Sequence, residues 1–222
     1  MNQNPGVIGR KLGMTQIFEE DGTVVPCTVV QSSPVVVGKR TQEKDGYDAL
    51  MLGVEERKPK HTSKPLAGAF KKAGLDPLRN VREFRCTADY AAKFEVGQKL
   101  TLDQLFEAGQ FVDVQGVSRG RGFSGVMRRH NFKGSASSTH GAHEYKRHGG
   151  SIGMNMTPGR VLPGMKMPGQ HGNKKCTVMS QRVVRVLAEE SLVLIRGGIP
   201  GARNGLVLVR GASRKSAQKP SS

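Results

Sequence analysis

One stretch of the chain, the basic segment of residues 119–175, limits what the whole chain can fold into. It contains 12 of the 29 glycines and only four valine, isoleucine or leucine residues. It carries 11 basic side chains and a single acidic one, Glu144. A segment with so few apolar residues and so much like charge cannot offset its chain entropy by burying a core. We therefore expect the core to lie in the flanking regions, and an anionic partner to order the basic segment.

The flanking regions have balanced or mildly basic compositions and patterns typical of strands. Residues 1–118 carry 16 basic and 15 acidic side chains, and residues 176–222 carry 8 and 2. Turn signals such as Asp21-Gly22 separate short apolar or alternating runs, which predict strands. These runs span residues 7–18, 24–30, 35–37, 49–54, 81–86, 99–102, 111–117, 182–188, 192–196 and 206–210. Helices are predicted only at 65–73 and 102–108.

The predicted strands indicate a mostly β fold. Strands on both sides of the basic segment must share one closed β-barrel, because neither set alone would pair its edge strands. We predict a discontinuous barrel domain formed by residues 1–118 and 176–211, with a few short helices. Residues 119–175 form a long, basic, glycine-rich loop extension of that barrel, and residues 212–222 form a basic flexible tail.

Several classes of protein are excluded by the same sequence. No run approaches the roughly 18 apolar residues that a membrane helix needs, and the basic segment contains no amphipathic helix for a membrane surface. Residues 1–11 lack an apolar signal core, which favours a cytoplasmic protein. The three cysteines lie far apart and suit neither a disulfide framework nor a zinc ribbon. We expect no membrane partner and no metal site.

Two apparent enzyme motifs do not fit the sequence around them. Residues 120–125 match the dinucleotide fingerprint G-x-G-x-x-G, but no strand–helix–strand alternation accompanies them. Residues 143–148 are one residue too long for a zinc-binding H-E-x-x-H motif, and Lys146 and Arg147 would repel a cation. Because Glu144 is the only carboxylate in the basic segment, nothing there activates a nucleophile or base. We expect neither catalysis nor a cofactor.

Binding to RNA fits the basic segment best. Its cations recur every few residues, as suits a chain with phosphates on several sides, and its glycines allow close backbone approach. Phe123, Phe132 and Tyr145 offer rings on which unpaired bases stack. The predicted RNA-binding residues are Arg119, Arg121, Arg128, Arg129, His130, Lys133, His140, His143, Lys146, Arg147, Arg160, Lys166, Lys174 and Lys175. A freely solvated loop and a loop folded back onto its own barrel are the alternatives.

Six segments of the chain form an ordered set of motifs: residues 7–18, 125–132, 138–141, 149–153, 158–161 and 167–172. In sequence and in order they resemble motifs of the large-subunit ribosomal protein L-three family of bacterial type. The resemblance implies a closed barrel of the translation-protein type. It also implies direct binding of 23S rRNA near its 3′ end, an early role in subunit assembly, and a loop that reaches toward the peptidyl transferase centre.

The resemblance further implies a non-enzymatic structural constituent of the ribosome in the cytoplasm, with neighbouring large-subunit proteins against its barrel. Gln170 matches the glutamine that is N5-methylated in some members of the family. His171 stands where the family often has methionine, which puts recognition by a glutamine methyltransferase in question. A plain turn role for Gln170, and a nonspecific RNA-binding or chaperone function for the whole chain, are the alternatives.

Overall fold

The computed structural model describes residues 6–137 and 139–215. Their secondary structure is mostly β, as the sequence predicts. The strands are β1 Val7–Phe18, β2 Val24–Gln31, β3 Val35–Arg40, β4 Ala49–Glu56, β5 Leu78–Arg85, β6 Phe111–Val117, β7 Phe123–Ser124, β8 Gly169–Gln170, β9 Lys175–Leu187, β10 Leu192–Arg196 and β11 Leu206–Gly211. The α-helices are α1 Gln42–Asp45, α2 Lys64–Lys72, α3 Ala88–Ala92 and α4 Val126–His130. Short 3-10 helices span Pro59–His61, Leu102–Gln104 and His140–Ala142.

Six strands pair in a closed ring in the order β1, β11, β6, β9, β10 and β2, and every pair is antiparallel. The ring forms a closed barrel, so its strands leave no free sheet edge. Alternate residues point inward, where Val7, Val114, Val183, Ile195 and Val209 are fully buried. Each such side chain stabilises the fold by about 1.5–3 kcal/mol relative to exposure.

Strands β3, β4 and β5 form a separate three-stranded sheet with β4 in the centre. The sequence places these strands in the barrel domain without distinguishing a second sheet. Neighbouring residues of a strand face opposite sides of its sheet. Ala49 and Leu50 of β4 are nevertheless both fully buried, so this strand is covered on both faces. Local patterns do not specify which strands pair, and for this reason the second sheet is visible only in the structure.

A glycine lets the two sheets approach closely. Gly6, just before β1, lies against the ring of Phe84 in β5. A Cβ atom on Gly6 would come 2.5 Å from Phe84 Cε1 and would collide with the carbonyl oxygen of Val209. Phe84 is consequently only 8% exposed and joins the core cluster.

The predicted helix at 65–73 corresponds to α2, which Gly74 follows with a φ of +68°. The predictions for 99–102 and 102–108 are wrong. Lys99 forms a single bridge rather than a strand, and only Leu102–Gln104 form a 3-10 turn. A capping box between Thr101 and Gln104 closes this single turn, and Gly109, with a φ of +85°, turns the chain into β6.

The predicted strand at 182–188 also begins earlier, because β9 is a 13-residue strand that starts at Lys175 and pairs with β6 from Lys175 to Arg182. Its first half alternates weakly in burial, so its sequence gives little strand signal. The pairing includes a register irregularity between Val112 and Val114. Ser180, opposite this irregularity, has a φ of 54°. A bulge of this kind bends a long strand around a barrel.

The predicted flexible tail, residues 212–222, is held at its beginning. Ala212 is 6% exposed. The backbone N–H and the hydroxyl of Ser213 both donate to Oδ2 of Asp113 in β6, each at 3.0 Å. These two residues are therefore packed on the barrel, contrary to the prediction. Residues 216–222 of the predicted tail lie outside the described residues.

The chain divides into two compact units. The barrel unit comprises residues 1–117 and 175–222 and contains the barrel and the three-stranded sheet. The extension comprises residues 118–174. The predicted boundaries of the basic segment, residues 119 and 175, each lie one residue later in the sequence than the boundaries of the extension, 118 and 174. Within the described ranges, no helix is long and apolar enough to cross a membrane.

Candidate nucleic-acid interface

The extension begins and ends as a two-stranded stem. The Ser118 N–H donates to the carbonyl oxygen of Lys174 at 2.8 Å. Further along, the Arg121 N–H donates to the carbonyl oxygen of His171 at 2.9 Å. Strands β7 and β8 then pair over two residues each. Because backbone groups hold the stem together, its side chains are free to point outward.

The stem requires glycine at position 172. Gly172 has a φ of +70°, and a Cβ atom there would collide with the carbonyl oxygen of Arg119. Only glycine combines this backbone conformation with so close an approach. Arg119, Arg121 and Lys174 are exposed along the stem. The close backbone packing thus projects three cations into solvent.

Helix α4 follows the stem and presents one face to the interior of the extension. Val126 is 5% exposed and anchors the helix. The helix ends at Asn131, which has a φ of 60° and whose N–H donates to the carbonyl oxygen of Met127 at 3.0 Å. Arg128 is exposed, whereas Arg129 is half-buried. Two adjacent arginines therefore have different surroundings.

Arg129 and His130 contact the backbone that leads into β8. Nη1 of Arg129 donates to the carbonyl oxygen of Met167 at 2.6 Å, and Nε2 of His130 lies 3.1 Å from the same oxygen. A Cβ atom on Gly169 would lie 2.7 Å from Nη1 of Arg129, so glycine makes room for the guanidinium. These two predicted RNA contacts therefore also brace the extension itself.

The other twelve predicted RNA contacts are exposed, and one of them, Lys175, lies in β9 of the barrel unit. The exposed residues are Arg119, Arg121, Arg128, Lys133, His140, His143, Lys146, Arg147, Arg160, Lys166, Lys174 and Lys175. The four ion pairs found among residues 6–137 and 139–215 all lie in the barrel unit. Within those ranges, the ten lysines and arginines of the extension thus have no carboxylate partner.

His171 lies beside this positive charge. Desolvation lowers the pKa of its imidazole, and the charges of Arg121, Arg128 and Arg129 lower it further. The side chain is therefore neutral at pH 7 and can accept a hydrogen bond as well as donate one. A neutral imidazole adds no repulsion to a stem that already carries several cations.

Gln170 is exposed at the end of β8. Its Nε2 donates to the carbonyl oxygen of His171 at 3.3 Å, a long hydrogen bond. The carboxamide is accessible to a modifying enzyme, and the same geometry serves a plain turn. The methylation of Gln170 stays a prediction.

His140 and His143 lie at the 3-10 helix of the extension, where Ala142 is the buried residue. Both imidazoles are exposed. In the part of the chain that the structure describes, no group of three or more His, Cys, Asp or Glu side chains is placed to hold a metal ion.

Two features of the extension lie outside the predicted list of RNA-binding residues. His148 is exposed and lines a cleft with Phe132 and Tyr145. The concentration of five of the six histidines in the basic segment was the available signal. The second feature is a row of exposed apolar side chains between 152 and 165: Ile152, Met154, Met156, Val161, Leu162 and Met165. The sequence signal for this second feature was a set of apolar residues that follow neither helical nor strand periodicity and lie in a segment without a core.

The chain is similar to known proteins over nearly its whole length. A family model described as ribosomal protein L3 matches residues 80–192. The protein named large ribosomal subunit protein uL3 from Sorangium cellulosum (strain So ce56) is 58% identical over 219 residues, covering 99% of this chain and 94% of that protein. The protein of the same name from Myxococcus xanthus (strain DK1622) is 49% identical, over 92% of each chain. That from Brachyspira pilosicoli is 46% identical, over 98% of each chain.

These matches cover the barrel unit and the extension alike, and they agree with the six motifs found in the sequence. Identities of 46–58% across both units are far above what a shared fold alone would require. The chain belongs to the ribosomal protein uL3 family, a family of structural proteins and not of enzymes.

Proposed function

We propose that this protein is a structural constituent of the large ribosomal subunit and binds 23S rRNA directly, near the 3′ end of that RNA. One observation carries the proposal: the described extension holds ten lysines and arginines and no carboxylate partner for any of them. So many unpaired cations on one small unit need a polyanion to neutralise them. The names of the relatives favour ribosomal RNA over other polyanions.

The proposal assigns the extension a path through RNA toward the peptidyl transferase centre, and an early role in assembly. Of the hydrophobic residues in its described part, only Val126 and Ala142 are buried. A unit with so small a core gains most of its order from its partner. We expect the protein to bind early in assembly, because the extension can enter the RNA only before the RNA has folded around its path.

We further propose that the closed six-stranded ring is a barrel of the translation-protein type. The chain divides functionally as predicted, with the basic segment of residues 119–175 as the part that penetrates RNA. Neighbouring large-subunit proteins contact the barrel, and the protein acts in the cytoplasm within the ribosome. The family resemblance supports these assignments.

A binding experiment with the full chain tests the main proposal. Its affinity is measured for a 23S rRNA transcript and for an unrelated transcript of equal length, at several KCl concentrations. We expect a preference for the 23S transcript and a steep loss of affinity with salt. A variant with residues 119–174 scrambled but unchanged in composition is the control, and we expect it to lose the preference. Equal affinities of the native chain for both transcripts would instead favour a nonspecific RNA-binding or chaperone function.

We also propose that Gln170 is the substrate of a glutamine methyltransferase. Its exposed carboxamide and its match to the family's modified glutamine support the assignment. Mass spectrometry of the peptide spanning 167–174, from protein purified from its natural cells, should show one added methyl group. A fully unmodified peptide would leave Gln170 as a turn residue.

A further inference from the structure

The extension contains a cleft of about 480 Å³ between two of its segments. One wall is formed by residues 132–135, and the other by Tyr145 and residues 148–150. The Ser135 N–H donates to the carbonyl oxygen of Lys146 at 3.1 Å, which ties the two walls together. Pockets for small organic ligands occupy about 300–1,000 Å³, so this cleft has the size for a single compact group.

Two aromatic rings line the cleft in different ways. Phe132 is half-buried, and a Cβ atom on Gly149 would lie 3.3 Å from its Cε2, so glycine allows the chain to pass along the ring. The His130 ring lies 6.2 Å from Phe132, centroid to centroid, with the planes tilted by 46°. These contacts hold Phe132 in place. Tyr145, by contrast, is 49% exposed, and its hydroxyl has no partner among residues 6–137 and 139–215.

The remaining polar lining is positive or neutral. Lys133 and His148 are both exposed and line the cleft. The His148 N–H donates to the carbonyl oxygen of Tyr145 at 3.0 Å, in a turn that brings the two side chains to the same wall. Glu144, the only carboxylate in the extension, is not among the lining residues. The cleft therefore combines apolar ring surface with a cation and suits a flat group that carries a negative charge.

We propose that this cleft binds one unpaired nucleotide of RNA, whose base stacks on Tyr145 and Phe132 and whose phosphate contacts Lys133 and His148. Aromatic rings stack on bases irrespective of sequence, and unpaired RNA bases are the usual targets of such platforms. A free mononucleotide has the same chemistry. The RNA source is favoured because ten cations of the same unit also require a polyanion. The inference rests on the proposed function and adds a specific nucleotide site to it.

The test uses the full chain and a 23S rRNA transcript, with affinity measured by filter binding over a range of KCl concentrations. Tyr145→Ala removes the exposed ring, Tyr145→Phe retains it, and Phe18→Ala removes an exposed ring of the barrel unit as the matched control. Tyr145→Ala should weaken binding by about 5-fold to 150-fold, the factor that loss of one stacked base implies. Tyr145→Phe and Phe18→Ala should stay near the native affinity.

Salt dependence separates stacking from charge. Tyr145→Ala removes no charge, so the slope of log affinity against log salt should not change, whereas Lys133→Ala should reduce it by about 0.7–0.9. Ultraviolet cross-linking of the native complex gives a second measurement that does not depend on a variant. We expect a nucleotide adduct on Tyr145 or Phe132 and none on Phe18.

Each result counts for or against the site. If Tyr145→Ala binds the transcript with native affinity, or if adducts form only outside the cleft, the nucleotide site is overturned. The proposed function then still stands, provided that the native chain binds 23S rRNA. A native chain without affinity for the transcript would overturn both. Titration with the four 5′-mononucleotides distinguishes the sources. Affinity for a free mononucleotide equal to that for the transcript would show that the cleft serves a free nucleotide, against the proposal.

Discussion

The barrel unit and the extension are stabilised by different means, although they belong to one chain. Of the 30 buried hydrophobic residues in the described chain, 28 lie in the barrel unit and two in the extension. The ion pairs of the described residues follow the same division, with all four in the barrel unit. The barrel unit is thus a conventional hydrophobic fold. The extension is instead held together by backbone hydrogen bonds, by glycines that allow close backbone approach, and by side chains such as Arg129 that donate to its own backbone.

The two units of this chain therefore differ in the apolar surface available to stabilise them: the barrel unit has a buried core, and the extension buries almost none. Apolar burial supplies most of the free energy of folding in a globular domain. Where burial is nearly absent, unpaired cations of like sign repel one another in the free extension, and in the proposed function the same cations bind RNA. If the two units are independent in stability and in function, a change confined to one of them leaves the other unaltered.

The largest effect should follow deletion of the extension. Val117 and Lys175 pair across β6 and β9, so a short turn can join these strands in place of residues 118–174. We expect the shortened chain to unfold cooperatively and to keep its barrel, because its core is untouched. Its affinity for a 23S rRNA transcript should fall by orders of magnitude, with the loss of roughly five or more phosphate contacts from the salt slope.

Urea unfolding monitored by circular dichroism, together with filter binding at several salt concentrations, checks both halves of this prediction. The matched control replaces the extension with a glycine–serine linker of equal length, which separates chain length from charge. Loss of cooperative unfolding in the shortened chain would show that the barrel unit depends on the extension.

The next effect concerns the two cores. Leu50 is fully buried in β4, and Leu50→Ala should lower the free energy of unfolding by about 2–5 kcal/mol. Val126 is buried in the extension, and Val126→Ala should leave the unfolding of the barrel unit within about 0.5 kcal/mol of the native value. Urea denaturation of both variants provides the measurement. A comparable loss in both would mean that the two cores unfold as one.

Much of this division could be predicted from the sequence, since composition alone separates a unit that can bury a core from one that cannot. The strand at 7–18 and the run at 192–196 coincide with β1 and β10, because their apolar patterns are strong. The second sheet could not be predicted, because partner choice among strands depends on contacts distant in sequence. The helix predicted at 102–108 failed because a capping box and Gly109 determine the local turn.

The candidate site was predictable in composition but not in detail. The arginines at 128 and 129 look equivalent in the sequence, yet Arg128 is exposed and Arg129 is hydrogen-bonded to Met167. Nothing in the local pattern shows this, because Met167 lies 38 residues away along the chain. The exposure of the cations could be predicted because lysine and arginine are almost never fully buried without a partner of opposite charge.

The difference between these two arginines gives the third prediction. Arg128→Ala should reduce the salt slope of RNA binding by about one contact and leave the free protein's protease sensitivity unchanged. Arg129→Ala should instead speed proteolysis around residues 167–170, because the carbonyl oxygen of Met167 loses a donor. Arg129→Lys keeps the positive charge but loses the forked guanidinium geometry. Its salt slope should therefore lie near the native value, whereas its protease resistance should stay close to that of Arg129→Ala.

Limited proteolysis of the free and RNA-bound chains, with fragments identified by mass, reads out this prediction. The double variant Arg128→Ala and Arg129→Ala should lose roughly one to two contacts from the salt slope. If Arg129→Ala proves as protease-resistant as the native chain, the brace contributes nothing to the extension. An unchanged slope in the double variant would show that neither arginine contacts RNA.

The smallest effect concerns acid stability of the barrel unit. Burial raises the pKa of Asp113, but hydrogen bonds from Ser180 and Ser213 and the charge of Arg210 outweigh it, so the pKa lies below its ordinary value. A carboxylate whose pKa is lower in the folded state contributes stability above its unfolded pKa of about 3.9, and that contribution is lost as the pH falls through the folded value.

Asp113→Asn should therefore be less stable than the native chain at pH 7, and the difference should shrink below about pH 4, where the native carboxylate becomes protonated. Urea unfolding at a series of pH values between 7 and 2 measures this. Asp21→Asn serves as the control, because Asp21 accepts from Thr23 in an exposed turn where solvent screens the effect. If the difference in the free energy of unfolding between Asp113→Asn and the native chain does not change with pH, the charge of Asp113 does not contribute to stability. Packing of the carboxyl group would then be what joins β6 to Ser213.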